Sequence, residues 1–358
     1  MKTLSTAPLR YSPDYEVPEP GEAETAEKLR ATLQGIADTT FKDEGRPLRS
    51  VHAKAHGIVH GRLEVLPDLP PHLAQGLFAR PDAFPVVLRF STTPGDLLND
   101  SVSTPRGVAM KVVGVEGERV AGSEDDRTQD FVLVNGPAFH AKTGSAFLRS
   151  LKLLAATTDT PQIWKIIASA VFRRIEALIE ALGGKSATLT GLGGHPATHI
   201  LGETFFSQVP ILYGPYMAKV SLAPVSQSLK ALTGTALDLD KPNAIRDAVQ
   251  SWFVEQDGEW HLKIQLCTDI TAMPVEEPTK VWSEDLSPYV AVAVLRIPAQ
   301  DSWNDSRARE DAALAFSPWR ALKAHRPLGR IMRLRKDAYS KTSRIRRERA
   351  GCPLNEPE

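Results

Sequence analysis

Three histidines, His52, His56 and His60, follow one another at intervals of four in a stretch that also carries Arg49 and Lys54. An imidazole titrates near neutral pH, so it can accept and return a proton or ligate a metal. On a helix this spacing stacks the three rings on one face, as a metal-binding helix requires. Val51, Ile58 and Val59 are β-branched and Gly57 and Gly61 break helices, so an extended segment from about Val59 is expected instead. On a strand the even spacing still keeps positions 52, 56 and 60 together. No thiol follows nearby to complete a zinc site. Proton chemistry on one side, and plain core or solvated histidines on the other, are both open from these residues alone.

A second group lies near the end of the sequence. Pro327-Leu328-Gly329 introduces a segment, about Arg330 to Arg349, that reads as an arginine-dense helix. Arg335, Tyr339 and Arg346 fall near one face of it, since eleven residues make about three turns. A phenol has an unperturbed pKa of about 10, and a guanidinium one turn away lowers the cost of ionising it. The same composition also suits a basic helix for nucleic acid or an anionic surface.

The elements that must position these groups can be read in outline. An irregular arm over 7–24 leads into a helix over about 22–38, with Ala26, Leu29, Leu33 and Ile36 spaced by three or four. A short helix is expected over 73–80, and strands over Phe84–Ser91, Gly107–Val113 and Phe131–Asn135. Helices follow over 144–156 and 161–182, the second with Thr160 as N-cap and Pro161 at its first turn, then a loop over 185–199. Strands and a turn are read over 205–214, a strand at 220–222, and a short helix over 244–253. Trp260–Leu266 alternates strictly, as a half-buried strand does, and Tyr289–Leu295 is more continuously apolar.

The chain has 358 residues, 42% hydrophobic and 24% charged, with zero formal net charge and two cysteines. Those values suit a globular protein with a full core, and exclude a disulfide scaffold or a thiolate metal site. Nothing global points to nucleic acid or membrane. No N-terminal apolar run of seven residues and no apolar run of 18 occurs, so a cytoplasmic protein without a membrane span is expected.

Taken in order, several patches resemble the haem catalases. Arg49-x-Val51-His52-Ala53-Lys54, with Leu63-Glu64-Val65 beyond, is similar to the segment that carries their distal histidine. Arg89-Phe90-Ser91 and Pro105-Arg106-Gly107-Val108-Ala109-Met110-Lys111 resemble two strands of their barrel, and Asn135-Gly136-Pro137-Ala138-Phe139 their asparagine-bearing turn. Arg335-x-x-x-Tyr339 resembles their proximal ligand segment. Phe316-Ser317-Pro318-Trp319 and His325-Arg326-Pro327-Leu328-Gly329 look like the small catalase-related peroxidases. The likeness spans about residues 41–349.

The resemblance implies an α+β fold, an antiparallel β-barrel of catalase type with surrounding and C-terminal helices. It divides the chain into an arm and helix over 1–40 and a single haem-binding domain over 41–358. By resemblance His52 is the distal acid and base, held by Ser91, and Asn135 orients peroxide, although an ungapped match puts Val134 at that place. Arg49, Arg89 and Arg346 hold the propionates of haem b, Phe139 and Phe147 flank it, Tyr339 ligates iron and Arg335 tunes the phenolate. Roles for His56 and His60 do not transfer. The implied enzyme is a catalase-related peroxidase acting on hydrogen peroxide or organic hydroperoxides, with a small electron donor, as a homo-oligomer. No flavodoxin-like extension is expected. Two alternatives remain: a hydroperoxide-rearranging enzyme of the allene oxide synthase type, against which Val51 argues, and a non-catalytic protein binding anionic partners through the basic helix.

Overall fold

A computed structural model describes residues 6–102, 104–157 and 197–351. The helix expected over 161–182, and nearly all of the loop after it, lie outside the described residues.

Four strands rich in β-branched residues pair antiparallel in sequence order: β1 (Lys54–Val65), β2 (Ala83–Thr92), β3 (Arg106–Val113) and β4 (Thr128–Val134). A short β5 (Phe205–Phe206) continues from β4 through Val134↔Phe206. Beyond β6 (Ile211–Tyr213), the strands β7 (Tyr216–Pro224), β8 (Gly258–Leu266) and β9 (Val290–Ile297) pair in turn, and β9 returns to β1. Because β5 also bonds β7 through Phe205↔Leu222, the sheet closes into an eight-stranded antiparallel barrel, with β6 lying along β7. Closure removes the unpaired edges that an open sheet would expose. The architecture is therefore the expected α+β class.

Strand alternation gives the β2–β4 wall two different faces. Phe90, Val108 and Leu133 stand in one cross-strand row and Leu88, Met110 and Phe131 in the next, all buried in the barrel core. The intervening rows are Ser91, Gly107 and Val134, then Arg89, Ala109 and Val132, then Val87, Lys111 and Asp130. This second face carries the chemistry. The chain over 311–322 crosses it, with Asp130 Oδ2 accepting from the Ser317 amide at 2.9 Å, and reaches the core side at Leu322, whose amide donates to Gln129 Oε1 at 2.8 Å. Lys111 and Asp130, both fully buried, neutralise each other there at 2.8 Å.

Helix α1 (Glu22–Glu44) starts after Gly21 and stops at Gly45, each left-handed, as at a glycine terminus. It runs beyond the expected 22–38 because Ala37 and Thr40 continue its buried stripe. Leu29, Leu33 and Ile36 pack on Leu148 and Leu151 of α2 (Gly144–Ala156), and on Leu334 and Ala338 of the last helix. Between them in sequence come the short α3 (Gln227–Lys230), α4 (Ala244–Glu255) and α5 (Asp305–Ala313), then α6 (Arg330–Ala350). The turn expected as a helix over 73–80 is only a 3-10 turn, Gly76–Phe78. Strand β1 begins at Lys54 rather than Val59, paired from its first residue with Thr92. Nothing in the sequence pattern announced α5, and no residue in it is buried.

The arm before α1 turns back onto α6. Glu16 bonds Arg326 and the Gly329 amide, Glu22 pairs with Arg333, and Glu19 with Arg330. Glu276 joins from the other side, to Arg330 and Arg333, and these carboxylates hold the Arg333 guanidinium above its ordinary pKa. A network of partly buried pairs holds more firmly than the same pairs singly in water. No described helix is long and apolar enough to cross a membrane.

At Gly61 β9 passes too close for a side chain, since a Cβ there would fall 2.1 Å from the Arg296 carbonyl oxygen. Gly61→Ala is expected to cost roughly 1–3 kcal/mol through forced backbone separation at the barrel seam. A urea titration with an unchanged midpoint would show that the seam can yield.

Candidate active site

His52 sits in the bend immediately before β1, with φ +51°, a left-handed conformation rarely adopted by residues with a side chain. Holding a non-glycine residue there costs on the order of 1 kcal/mol, and such strain gathers where a side chain must be aimed. The bend lays the imidazole against the chemical face of the barrel wall. Its Nδ1 is 3.2 Å from Ser91 Oγ. Beneath the ring is Gly107, where a Cβ would come within 2.7 Å of His52 Cε1, so only glycine leaves the ring its place. Burial, with Arg89, Arg335 and Arg49 adding positive charge, lowers the His52 pKa to about 3. The ring is neutral at physiological pH.

Three arginines meet at the end of α5. Arg49 donates from Nη1 to Asp311 Oδ1 at 3.0 Å, and from Nη2 to the carbonyls of Asp311 at 2.7 Å and Leu314 at 2.9 Å. Arg89, in β2, donates from Nε to the same Oδ1 at 2.6 Å and from Nη2 to the Ala53 carbonyl at 3.1 Å. Arg346, buried on α6, donates to the carbonyls of Ala312 and Leu314. Carbonyls in a last helical turn lack intrahelical donors and carry the negative end of the helix dipole, so cations settle there. Burial would raise the Asp311 carboxyl, but Arg49 and Arg89 overcome that and hold it at about 2.

On α6, Arg335 Nη2 donates to the Tyr339 hydroxyl one turn away. Both line a cavity with Val132 of β4 and Met332. Arg335 therefore belongs to two settings at once, beside the tyrosine and within electrostatic reach of His52. Phe139 and Phe147 stack edge to face at 5.0 Å and pack with Trp319 against Val209, Ile331 and Met332. They cover the start of α6.

Asn135 is placed differently from the sequence expectation. Its Oδ1 accepts the Arg106 amide at 3.0 Å and its Nδ2 donates to Glu203 at 2.7 Å, in a knot completed by the Arg106 side chain and Thr198. Val134, one residue earlier, is the one that shares a row with Ser91 and Gly107. Strand alternation is the reason: a shift of one residue changes the face. The histidines also separate. A bulge between Ala55 and Gly57 breaks their spacing; His56 is fully buried with Nε2 2.9 Å from Thr92, and His60 meets Glu310 at 2.7 Å. Among the described residues no cluster of three histidine, cysteine or carboxylate groups could hold a metal ion.

Sequence reasoning missed Asp311 and the seat that Gly107 gives His52. Gly107 stood inside a quoted motif, whereas Asp311 had no signal, being 222 and 262 residues from its partners. Asn135→Ala should act mainly on stability. It removes the bonds that Asn135 makes to Glu203 Oε2 and to the Arg106 amide, at about 1–3 kcal/mol. Denaturant unfolding would register that loss, while a turnover deficit at unchanged stability would return Asn135 to the chemistry.

Neither a family model nor a curated protein sequence matches the chain. Solved structures do. A fungal catalase is 20% identical with a TM-score of 0.60, over 89% of this chain and 63% of its own length. Catalase A from Saccharomyces cerevisiae is 19% identical with a TM-score of 0.58, over 88% of this chain and 65% of its own. This chain thus spans under two thirds of either catalase, but the match takes in nearly all of it. The closed antiparallel barrel with its packed helices is the fold seen in these two catalases.

Proposed function

We propose that the chain is a haem-dependent enzyme that decomposes peroxides, with His52 as acid and base and Tyr339 as the iron ligand. The observation that carries this is the cavity that Val132 of β4 lines together with Arg335 and Tyr339 of α6. Val132 belongs to the wall face against which His52 lies through Ser91 and Gly107.

The residues fit a haem. Ala109, Val132 and Val134 are small or apolar and only half-buried, unlike the core residues on the other face of the same strands. A flat apolar macrocycle suits such a wall. Its two carboxylates call for guanidiniums, which recognise them by paired N–H donors, and Arg49, Arg89 and Arg346 supply these. Tyr339 offers a phenol oxygen, to which Arg335 donates a hydrogen bond. A haem held this way supplies an iron centre that exchanges electrons with peroxide.

The remaining steps belong to the protein. With Nδ1–H donated to Ser91 Oγ, His52 Nε2 keeps its lone pair and takes the proton of the bound hydroperoxide, then returns it to the departing oxygen. The lowered pKa keeps the ring unprotonated and available, at a cost in basicity, and makes the protonated ring a strong acid for the return step. Val132 and Val134 put apolar surface rather than an amide beside this proton path. We therefore infer organic hydroperoxides as substrates beside hydrogen peroxide, with a small organic donor as reductant. Arginines 326, 330 and 333 are occupied by Glu16, Glu19, Glu22 and Glu276, which weighs against α6 as an anion-binding surface.

Three measurements test this. Reconstitution with haem should give a high-spin ferric absorption spectrum that Tyr339→Phe alters; an unchanged spectrum removes Tyr339 as ligand. His52→Ala should keep the haem and lower peroxide turnover by at least 10²-fold, the usual scale of a lost acid–base group. The pH profile follows from the sign of the shift: a base with pKa about 3 stays neutral down through pH 5, so kcat/KM should show no acid limb between pH 8 and 5. A limb centred near 6.5, the unperturbed value, would mean that His52 is solvated or is not the base.

A further inference from the structure

Asp311 has no part in the haem contacts assigned above, yet its Oδ1 receives Arg49 Nη1 at 3.0 Å and Arg89 Nε at 2.6 Å. Two guanidiniums brought to one oxygen repel each other unless a negative charge lies between them. Arg89 is 2% exposed, so water screens that repulsion little. The bonds made to α5 and to Ala53 use three of the five N–H donors of Arg49 and two of those of Arg89. Arg49 keeps Nε–H and one Nη1–H, and Arg89 keeps three N–H groups on its two terminal nitrogens.

We propose that Asp311 is a positioning residue for the carboxylates of the bound cofactor, fixing the distal arginine pair so that its remaining donors converge on them. The assignment rests on the haem reading. Asp311 ties Arg49, which precedes β1, to Arg89 within β2, and its neighbour carbonyls tie Arg346 of α6 to the same point. Three segments far apart in sequence thereby meet at one turn of backbone. The adjacent Glu310 is directed elsewhere, to His60 and Arg307, so it cannot replace Asp311. Pre-ordered donors bind a carboxylate without first having to be ordered, which is where the gain in affinity arises.

The test is titration of the apoprotein with haem and, separately, with haem dimethyl ester, whose carboxylates are masked, followed by quenching of tryptophan fluorescence. Asp311→Asn should bind haem about tenfold more weakly than the unaltered protein, and the ester with equal affinity. Asp311→Glu, which keeps the charge but moves it by one methylene, should lose about threefold for haem and nothing for the ester, and serves if the neutral variant does not fold. Equal haem affinity in a folded variant, tighter binding, or the same loss for both ligands would overturn the positioning role. Failure of the unaltered protein to bind haem would instead overturn the haem reading, and this inference with it.

Discussion

Arginine side chains from three distant parts of the chain end on one turn of backbone, residues 311–314, and much of the remaining geometry depends on that meeting. A guanidinium cannot be discharged by burial in the way a lysine can, so each must be given acceptors. The end of α5 supplies them as carbonyls with no intrahelical donor and one carboxylate held at about 2. Fixing Arg49 fixes the residues just before β1, and His52 is three positions on. Fixing Arg346 fixes the register of α6, and Tyr339 lies two turns earlier on it. The placement of His52 relative to Tyr339 thus depends in part on a polar contact that includes neither.

The barrel makes the opposite contribution. Its core is a continuous apolar cluster, mostly Leu, Val, Ile and Phe with Met110, Tyr213 and Trp260, and burial at about 25 cal/mol per Å² stabilises it. Alternation then delivers the other half of each strand to the outside of that wall. Ser91, Arg89 and Lys111 are on the chemical face for the same reason that Phe90, Leu88 and Met110 are in the core. A site built this way can vary its polar face without disturbing the apolar one. Lys111 and Asp130 illustrate the price of the arrangement, since a buried pair of charges is retained where the wall is covered by the chain over 311–322.

What the sequence made legible followed local spacing. Trp260–Leu266 alternates and is a strand; Leu29, Leu33 and Ile36 recur helically and are a buried stripe. Arg335 and Tyr339, four apart, meet on α6. The family likeness placed Arg49, Arg89, Ser91 and His52 in one neighbourhood, and they are neighbours. Two things were illegible. A one-residue difference decides whether Val134 or Asn135 faces His52, and nothing in Val-Asn-Gly-Pro records which of the two ends the strand. Asp311 lies on a helix without an apolar stripe, because that helix is held by the polar contacts at its end rather than by burial of a face. Helix signals read from hydrophobic period cannot find such an element.

The arginines of α6 show why composition misleads in the same way. Read along the sequence, they form a basic stripe of the kind that binds polyanions. In the folded chain Arg330 and Arg333 meet Glu19, Glu22 and Glu276, Arg346 is buried, and Arg349 reaches Asp38 and the face of Phe41. The carboxylates that balance Arg330 and Arg333 are up to 317 residues away in sequence, outside any local window. A zero net charge for the whole chain was the one sequence-level quantity consistent with this outcome. The helix is basic because the arm, α1 and the segment around Glu276 are acidic where they touch it. That complementarity holds the helix carrying Tyr339 against the rest of the fold from the side opposite to the α5 contact.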